Sequence, residues 1–124
     1  MKEDIKLDKF VMGLNDLMNL AKDDYRRWSE MGSKYDGNSD SRKAIRDDMI
    51  DEYNRSMSYT TGPKYIRIIS NKSVWGFVVR IHNDKKFRYG DILKPAGWKT
   101  PARNFARGNI VDGNYGNVSW TGAG

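Results

Sequence analysis

The hydrophobic period of the chain changes at Thr60-Thr-Gly-Pro63, and the residues on either side of that point must fold by different rules. Upstream, Leu7, Val11, Leu14, Met18, Ala21, Tyr25 and Trp28 recur at alternating intervals of four and three, the a and d spacing of a heptad repeat. This places all of them on one stripe of a helix expected over residues 7–31, and Phe10 and Leu17 widen the stripe. Such a stripe has two uses: as an oligomerisation seam that pairs with a second copy to give a dimer, or as a face laid against the body of the same chain. Gly32 has the character of a helix-ending glycine, and the turn formers from Gly32 to Asp40 predict a loop. A second helix over 40–58, capped by Ser39 or Asp40, carries Ile45, Met49, Ile50, Tyr53 and Met57 on one face and completes an antiparallel hairpin. Asp47, Asp48, Asp51 and Glu52 lie on or beside its outer face, where a solvated surface explains them better than a metal site.

Downstream, Lys64–Ser70 (KYIRIIS) and Val74–His82 (VWGFVVRIH) are rich in β-branched and aromatic residues, and Asn71-Lys72 between them suits a tight hairpin turn. A third strand is expected over Phe87–Leu93, bent or bulged at Gly90-Asp91, and a last one over Asn117–Thr121. The expected class is α+β: an N-terminal helical hairpin or long helix, then a small bent antiparallel sheet or partly open barrel with one short helix. Two segments follow, an acidic helical one over 1–61 and a basic β one over 62–124.

Charge reinforces the division. Residues 1–61 carry 11 Lys and Arg against 13 Asp and Glu, a net of −2, whereas residues 62–124 carry 11 against 3, a net of +8. Such an excess attracts phosphate backbones or acidic protein surfaces. The chain has no cysteine, which excludes disulfides, thiolate nucleophiles and Cys-based metal sites. Its apolar runs are far shorter than the ~20 residues of a membrane helix. No apolar stretch follows the opening Met-Lys-Glu-Asp-Ile-Lys as a secretory signal would, so an intracellular protein without membrane partners is expected.

The strongest candidate site lies at Lys94–Asn109. Thr100 before Pro101, with Gly108 as a stop, predicts a two-turn helix over 101–107 that presents Arg103 and Arg107 on one face. Arginines in that arrangement chelate phosphate or carboxylate oxygens, with Lys94 and Lys99 adding charge. Lys85, Lys86 and Arg88 extend the basic set, and Trp98 and Tyr89 offer flat faces for base stacking. Catalytic signals are thin. His82 is the only histidine, no phosphate-binding glycine loop is present, and Asp91 and Asp112 would suit a metal-dependent nuclease only if folding paired them. A binder is expected rather than an enzyme, without metal or cofactor.

The stretch FRYGDILKPAGWKTPARNFARGNI from Phe87 to Ile110, closing with VSWTG from Val118 to Gly122, resembles the C-terminal part of small accessory proteins of tailed bacteriophages. The resemblance implies a phage-encoded protein acting in the host cytoplasm and supplies no catalytic residues. Three functions fit the sequence: nucleic-acid binding by the basic β segment, inhibition of a host protein through its acidic surface, or binding of a small phosphorylated ligand such as a nucleotide.

Overall fold

The computed structural model describes residues 2–33, 40–70, 72–116 and 118–122, with side chains from residues 9–29 and from residue 44 onward within those ranges. Two helices precede a five-stranded antiparallel sheet, an α+β arrangement. Helix α1 spans Lys2–Ser33, beginning earlier than the apolar stripe because Lys2–Lys6 contains good helix formers, and running through Gly32. The Ser39 cap and the loop residues 34–39 lie outside the described residues. Helix α2 spans Asp40–Ser56, two residues short of the expected end, because Met57 drops into the core and the chain turns directly into strand β1, Ser58–Thr61.

The remaining strands are β2 (Tyr65–Ser70), β3 (Ser73–Val79), β4 (Asp91–Leu93) and β5 (Gly108–Asn109). They pair in sequence order as an open meander with β1 and β5 at its edges, so the sheet does not close into a barrel. The β2–β3 connection is the expected two-residue turn, with Lys72 in the left-handed region at φ 65°. The register slips between Ile68 and Ile69, leaving Trp75 as an extra residue on β3. The register irregularity thus lies in the β2–β3 pair and not at Gly90-Asp91. Gly90 instead occupies a turn ahead of β4 at φ 90°, and a Cβ there would lie 2.8 Å from Val111 Cγ2.

The sheet has an apolar cluster on each face. On one, Ile66, Ile68, Trp75, Val78, Ile92 and Ile110 pack against Phe10, Leu14, Leu17, Met18, Ala21 and Tyr25 of α1 and Tyr53 of α2. The helical stripe therefore closes inside the chain. Leu14 is only 3% exposed, and Met18, Ala21 and Tyr25 are buried with it, so these four form internal core instead of an oligomerisation seam. With Phe10 and Leu17 added, the stripe is broad enough to cover a sheet, wider than a two-helix seam. Val11 (47%) and Trp28 (54%) remain exposed, while the side chain of Leu7 lies outside the described part. The four acidic residues of α2 are exposed, as expected.

Residues 118–122 form a tight turn instead of a strand, closed by Ser119 N donating to Gly122 O at 3.1 Å. The turn is fastened to both layers. Trp120 N donates to Asp24 Oδ2 at 2.9 Å, Tyr53 Oη to Trp120 O at 2.8 Å, and Trp75 Nε1 to Ser119 O at 2.9 Å. Tyr53 stacks on Tyr25 with centroids 4.3 Å apart, and Trp120 meets Tyr25 edge-on at 5.1 Å. Burial in this aromatic box pushes the Tyr53 hydroxyl up to about 12. Among the described residues, no helix is long and apolar enough to cross a membrane.

Candidate functional site

The second apolar cluster lies on the sheet face turned away from the helices, where Phe77, Val79, Phe87 and Leu93 are buried. Side chains alternate along a strand, so Tyr65 and Arg67 of β2 share this face while Ile66 and Ile68 face the helices. The register sets Thr60, Arg67, Phe77 and Leu93 in one row across four strands. An arginine thus stands in the middle of an otherwise apolar and hydroxylated row.

Over this face folds the segment 94–107, which is not helical. Pro95 and Pro101 bridge as antiparallel partners, and Ala96 N and Gly97 N both donate to Thr100 O, making a small hairpin with Gly97-Trp98-Lys99 at its tip. Helix formation is pre-empted because Ala102 N donates to Lys94 O at 2.7 Å and Arg107 N to Ile92 O at 2.7 Å, committing the donors at both ends of the stretch to β4 and its neighbour. Thr100, as the residue before a proline, also favours extended backbone, and a helix of about two turns has little stability of its own. Arg103 and Arg107 therefore do not share a helical face. Each guanidinium lies over a different ring, Arg103 at 4.8 Å from the centroid of Phe87 and Arg107 at 3.8 Å from that of Phe105.

The hairpin tip rests on β2. Arg67 Nη1 donates to Trp98 O at 3.2 Å, Arg67 Nε to Thr60 Oγ1 at 3.3 Å, and the guanidinium lies 5.5 Å from the Trp98 ring centroid. Trp98 keeps half its surface in solvent (50%), and Phe105 slightly more (54%). Both are displayed rather than used as core.

Arg103 plays a different part from the one its spacing suggests. It chelates Asp84 through Nη2 to Oδ1 at 2.8 Å and Nη1 to Oδ2 at 3.0 Å, and Nη1 also donates to Tyr65 Oη at 2.5 Å. Asp84 Oδ1 accepts in addition from Lys86 N and Phe87 N, both at 2.9 Å. The Arg103 pair, then these two N–H donors, hold the Asp84 carboxyl well below the usual carboxylate range. Arg103 is thus a clamp between the 81–88 loop and the 94–107 segment. Lys86 belongs to the same knot, its Nζ donating to Arg103 O. Arg88 turns away to pair with Asp112 at 2.6 Å. Lys85, Lys94 and Lys99 are exposed and have no carboxylate partner among the described residues.

Asp91 and Asp112 do not form a catalytic pair. Asp91 is buried, with Oδ1 accepting from Asn109 Nδ2 at 2.9 Å and Oδ2 from Arg88 N at 2.8 Å, while Asp112 is occupied by the Arg88 guanidinium. No group of three or more His, Asp or Glu positioned for a metal occurs among the described residues. His82 stacks on Tyr89 at 4.0 Å, and Tyr89 in turn on Phe10 at 4.7 Å, so the Tyr89 ring is sandwiched within the chain. All three carboxylates of residues 62–124 are thereby engaged within the chain, Asp84 by Arg103, Asp112 by Arg88 and Asp91 by Asn109 and the Arg88 amide.

Sequence reasoning missed Lys64, Tyr65 and Arg67. The signal was present in KYIRIIS, where Tyr65 and Arg67 alternate with Ile66 and Ile68 and so had to share one sheet face. Comparison of the chain with models of protein families, with curated proteins and with solved structures gave no match.

Proposed function

We propose that the chain binds nucleic acid on the outer sheet face, with an unpaired base stacking on Trp98 and the phosphate backbone following Arg67, Lys94 and Lys99. The observation that carries this reading is the half-exposed Trp98 held at a hairpin tip by the Arg67 guanidinium. A fixed aromatic plane beside unpaired cations is the combination by which proteins grip single strands without reading their sequence. With Asp84 and Asp112 paired to Arg103 and Arg88, and Asp91 hydrogen-bonded in the interior, residues 62–124 keep a net charge of +8 that favours a polyanion. The bacteriophage resemblance adds the proposal that the target is met inside a bacterial host.

The test is fluorescence anisotropy with 20-nucleotide single strands of DNA and RNA and the matching duplex. Three phosphate contacts on a single strand give a slope of log K against log salt of about −2. Trp98→Ala should weaken binding about tenfold, the effect of one lost stacking contact. Affinity unaltered by Trp98→Ala, or a slope near zero, would refute the reading.

A further inference from the structure

Two residues along β2 from the Arg67 on which the Trp98 hairpin rests, the outer face opens into a cleft of about 440 Å³ lined by Lys64, Tyr65, Ile81, Asn83, Asp84, Lys85 and Arg103. Three cations and one carboxylate leave the lining with two surplus positive charges. The carboxylate is not aimed at an incoming anion. Asp84 accepts four hydrogen bonds from Arg103, Lys86 and Phe87, and its side chain is only 7% exposed. The ammonium groups of Lys64 and Lys85 have no acceptor among the described residues, nor does the Asn83 amide.

Tyr65 supplies the most specific donor. Its oxygen accepts from the Arg103 guanidinium, so the hydroxyl hydrogen must point elsewhere, and it has no acceptor among the described residues. A phenol whose oxygen is bonded to a cation is a strengthened donor. The ring is held by edge-on packing against Phe77, with centroids 6.0 Å apart.

We propose that this cleft is a site for a phosphate monoester, the group found at the end of a nucleic-acid strand and on a free nucleotide. A monoester carries about −1.5 to −2 charges at pH 7, matching the surplus of the lining, and its three terminal oxygens suit the Lys64, Lys85 and Tyr65 donors. An internal phosphodiester has only two such oxygens and one charge. The cleft volume falls within the ~300–1,000 Å³ of sites that hold a small molecule, so it accommodates a nucleotide as well as its phosphate. In the first case the site rests on the single-strand reading above, and the strand that crosses Trp98 ends here.

Anisotropy is measured with three versions of one 12-nucleotide strand: 5′-phosphorylated, 3′-phosphorylated and unphosphorylated. Isothermal calorimetry with adenosine monophosphate and with adenosine runs in parallel. One phosphorylated end should bind about tenfold tighter than the bare strand, the worth of one charged hydrogen bond. Tyr65→Phe and, independently, Lys85→Gln should each cut that preference about threefold or more. Lys85→Gln is the safer variant, since its side chain is exposed and makes no hydrogen bond or ion pair among the described residues. Binding of the monophosphate but not the nucleoside, with no strand bound, supports the cleft and sinks the Trp98 reading. Equal affinity for all three strands, with no monophosphate binding, overturns the cleft and leaves the Trp98 reading standing.

Discussion

Gly13 sits in the middle of α1, where replacing glycine by alanine ordinarily stabilises a helix by about 1 kcal/mol. Here the opposite sign is expected. A Cβ at this position would lie 2.3 Å from the Ile110 carbonyl oxygen, 2.9 Å from its carbon and 3.0 Å from the Ile110 Cβ. Carbon and oxygen normally approach no closer than about 3.3 Å, so helix and loop would have to separate by about 1 Å. Ile110 cannot yield easily. Its side chain is fully buried against α1 and the sheet, and its amide donates to Gly90 O at 2.9 Å. Overpacking of this kind costs about 1–3 kcal/mol and sometimes more. Taking ~3–4 kcal/mol for a backbone obstacle and subtracting ~1 kcal/mol of propensity leaves Gly13→Ala destabilised by about 2–3 kcal/mol. In a chain of this length that lowers the Tm by about 8–12 °C. Urea unfolding followed by circular dichroism should show a lower midpoint at unchanged slope. Gly97→Ala is the control, since nothing lies within 4 Å of the added methyl, and it should stay within about 0.5 kcal/mol of wild type. A Gly13→Ala protein as stable as wild type would show that α1 does not lie against Ile110.

Asp84→Ala should cost about 2–3 kcal/mol at pH 7, about 2 from the two local N–H bonds and a discounted ~0.5 from the partly exposed Arg103 pair, while Asp84→Asn keeps an acceptor for the N–H groups and recovers most of it. Because the folded carboxyl titrates well below its ordinary 3.8, this stabilisation is complete above about pH 5 and is lost as the pH falls toward the depressed folded value, so the gap between the Tm curves of wild type and Asp84→Ala should narrow steadily below about pH 5. Tyr53→Phe should lose about 1 kcal/mol with the bond to Trp120 O, read by thermal unfolding. The raised Tyr53 hydroxyl contributes stability that is full below pH 10 and disappears as the pH climbs through about 12, so alkaline unfolding in that window should be shallower in Tyr53→Phe. Leu14→Asp should unfold the monomer instead of splitting a dimer, since Leu14 is buried in the chain's own core, and loss of the far-ultraviolet helical signal is the measurement.

The helices and the two long central strands were legible because their apolar residues repeat with an unmistakable period. The destination of the helical stripe was not, since the same spacing serves a twin helix or a sheet, and only the extra width from Phe10 and Leu17 hints at the latter. Strand β1 escaped notice because all four of its residues are exposed on a sheet edge, leaving no apolar alternation to read. The false helix at 101–107 came from sound local signals, Thr-Pro and a following glycine, overruled by long-range hydrogen bonds from Ala102 and Arg107. The same failure misassigned Arg103. Its partner Asp84 is 19 residues away, a distance over which spacing says nothing. Trp98 and Lys99 stand exposed together at a hairpin tip, a placement that the glycine and prolines on either side of them favour.

The fastening of residues 118–122 sets an order of events during folding. Its hydrogen bonds join positions 44, 67 and 96 residues apart, while the helical hairpin and the β2–β3 hairpin need only nearby chain. Contacts of such span form late, because closing a long loop costs entropy before anything is gained. Until that turn docks, Tyr25 and Tyr53 lack the Trp120 ring that meets both of them edge-on, so a helical pair formed early leaves an aromatic surface open to wrong partners.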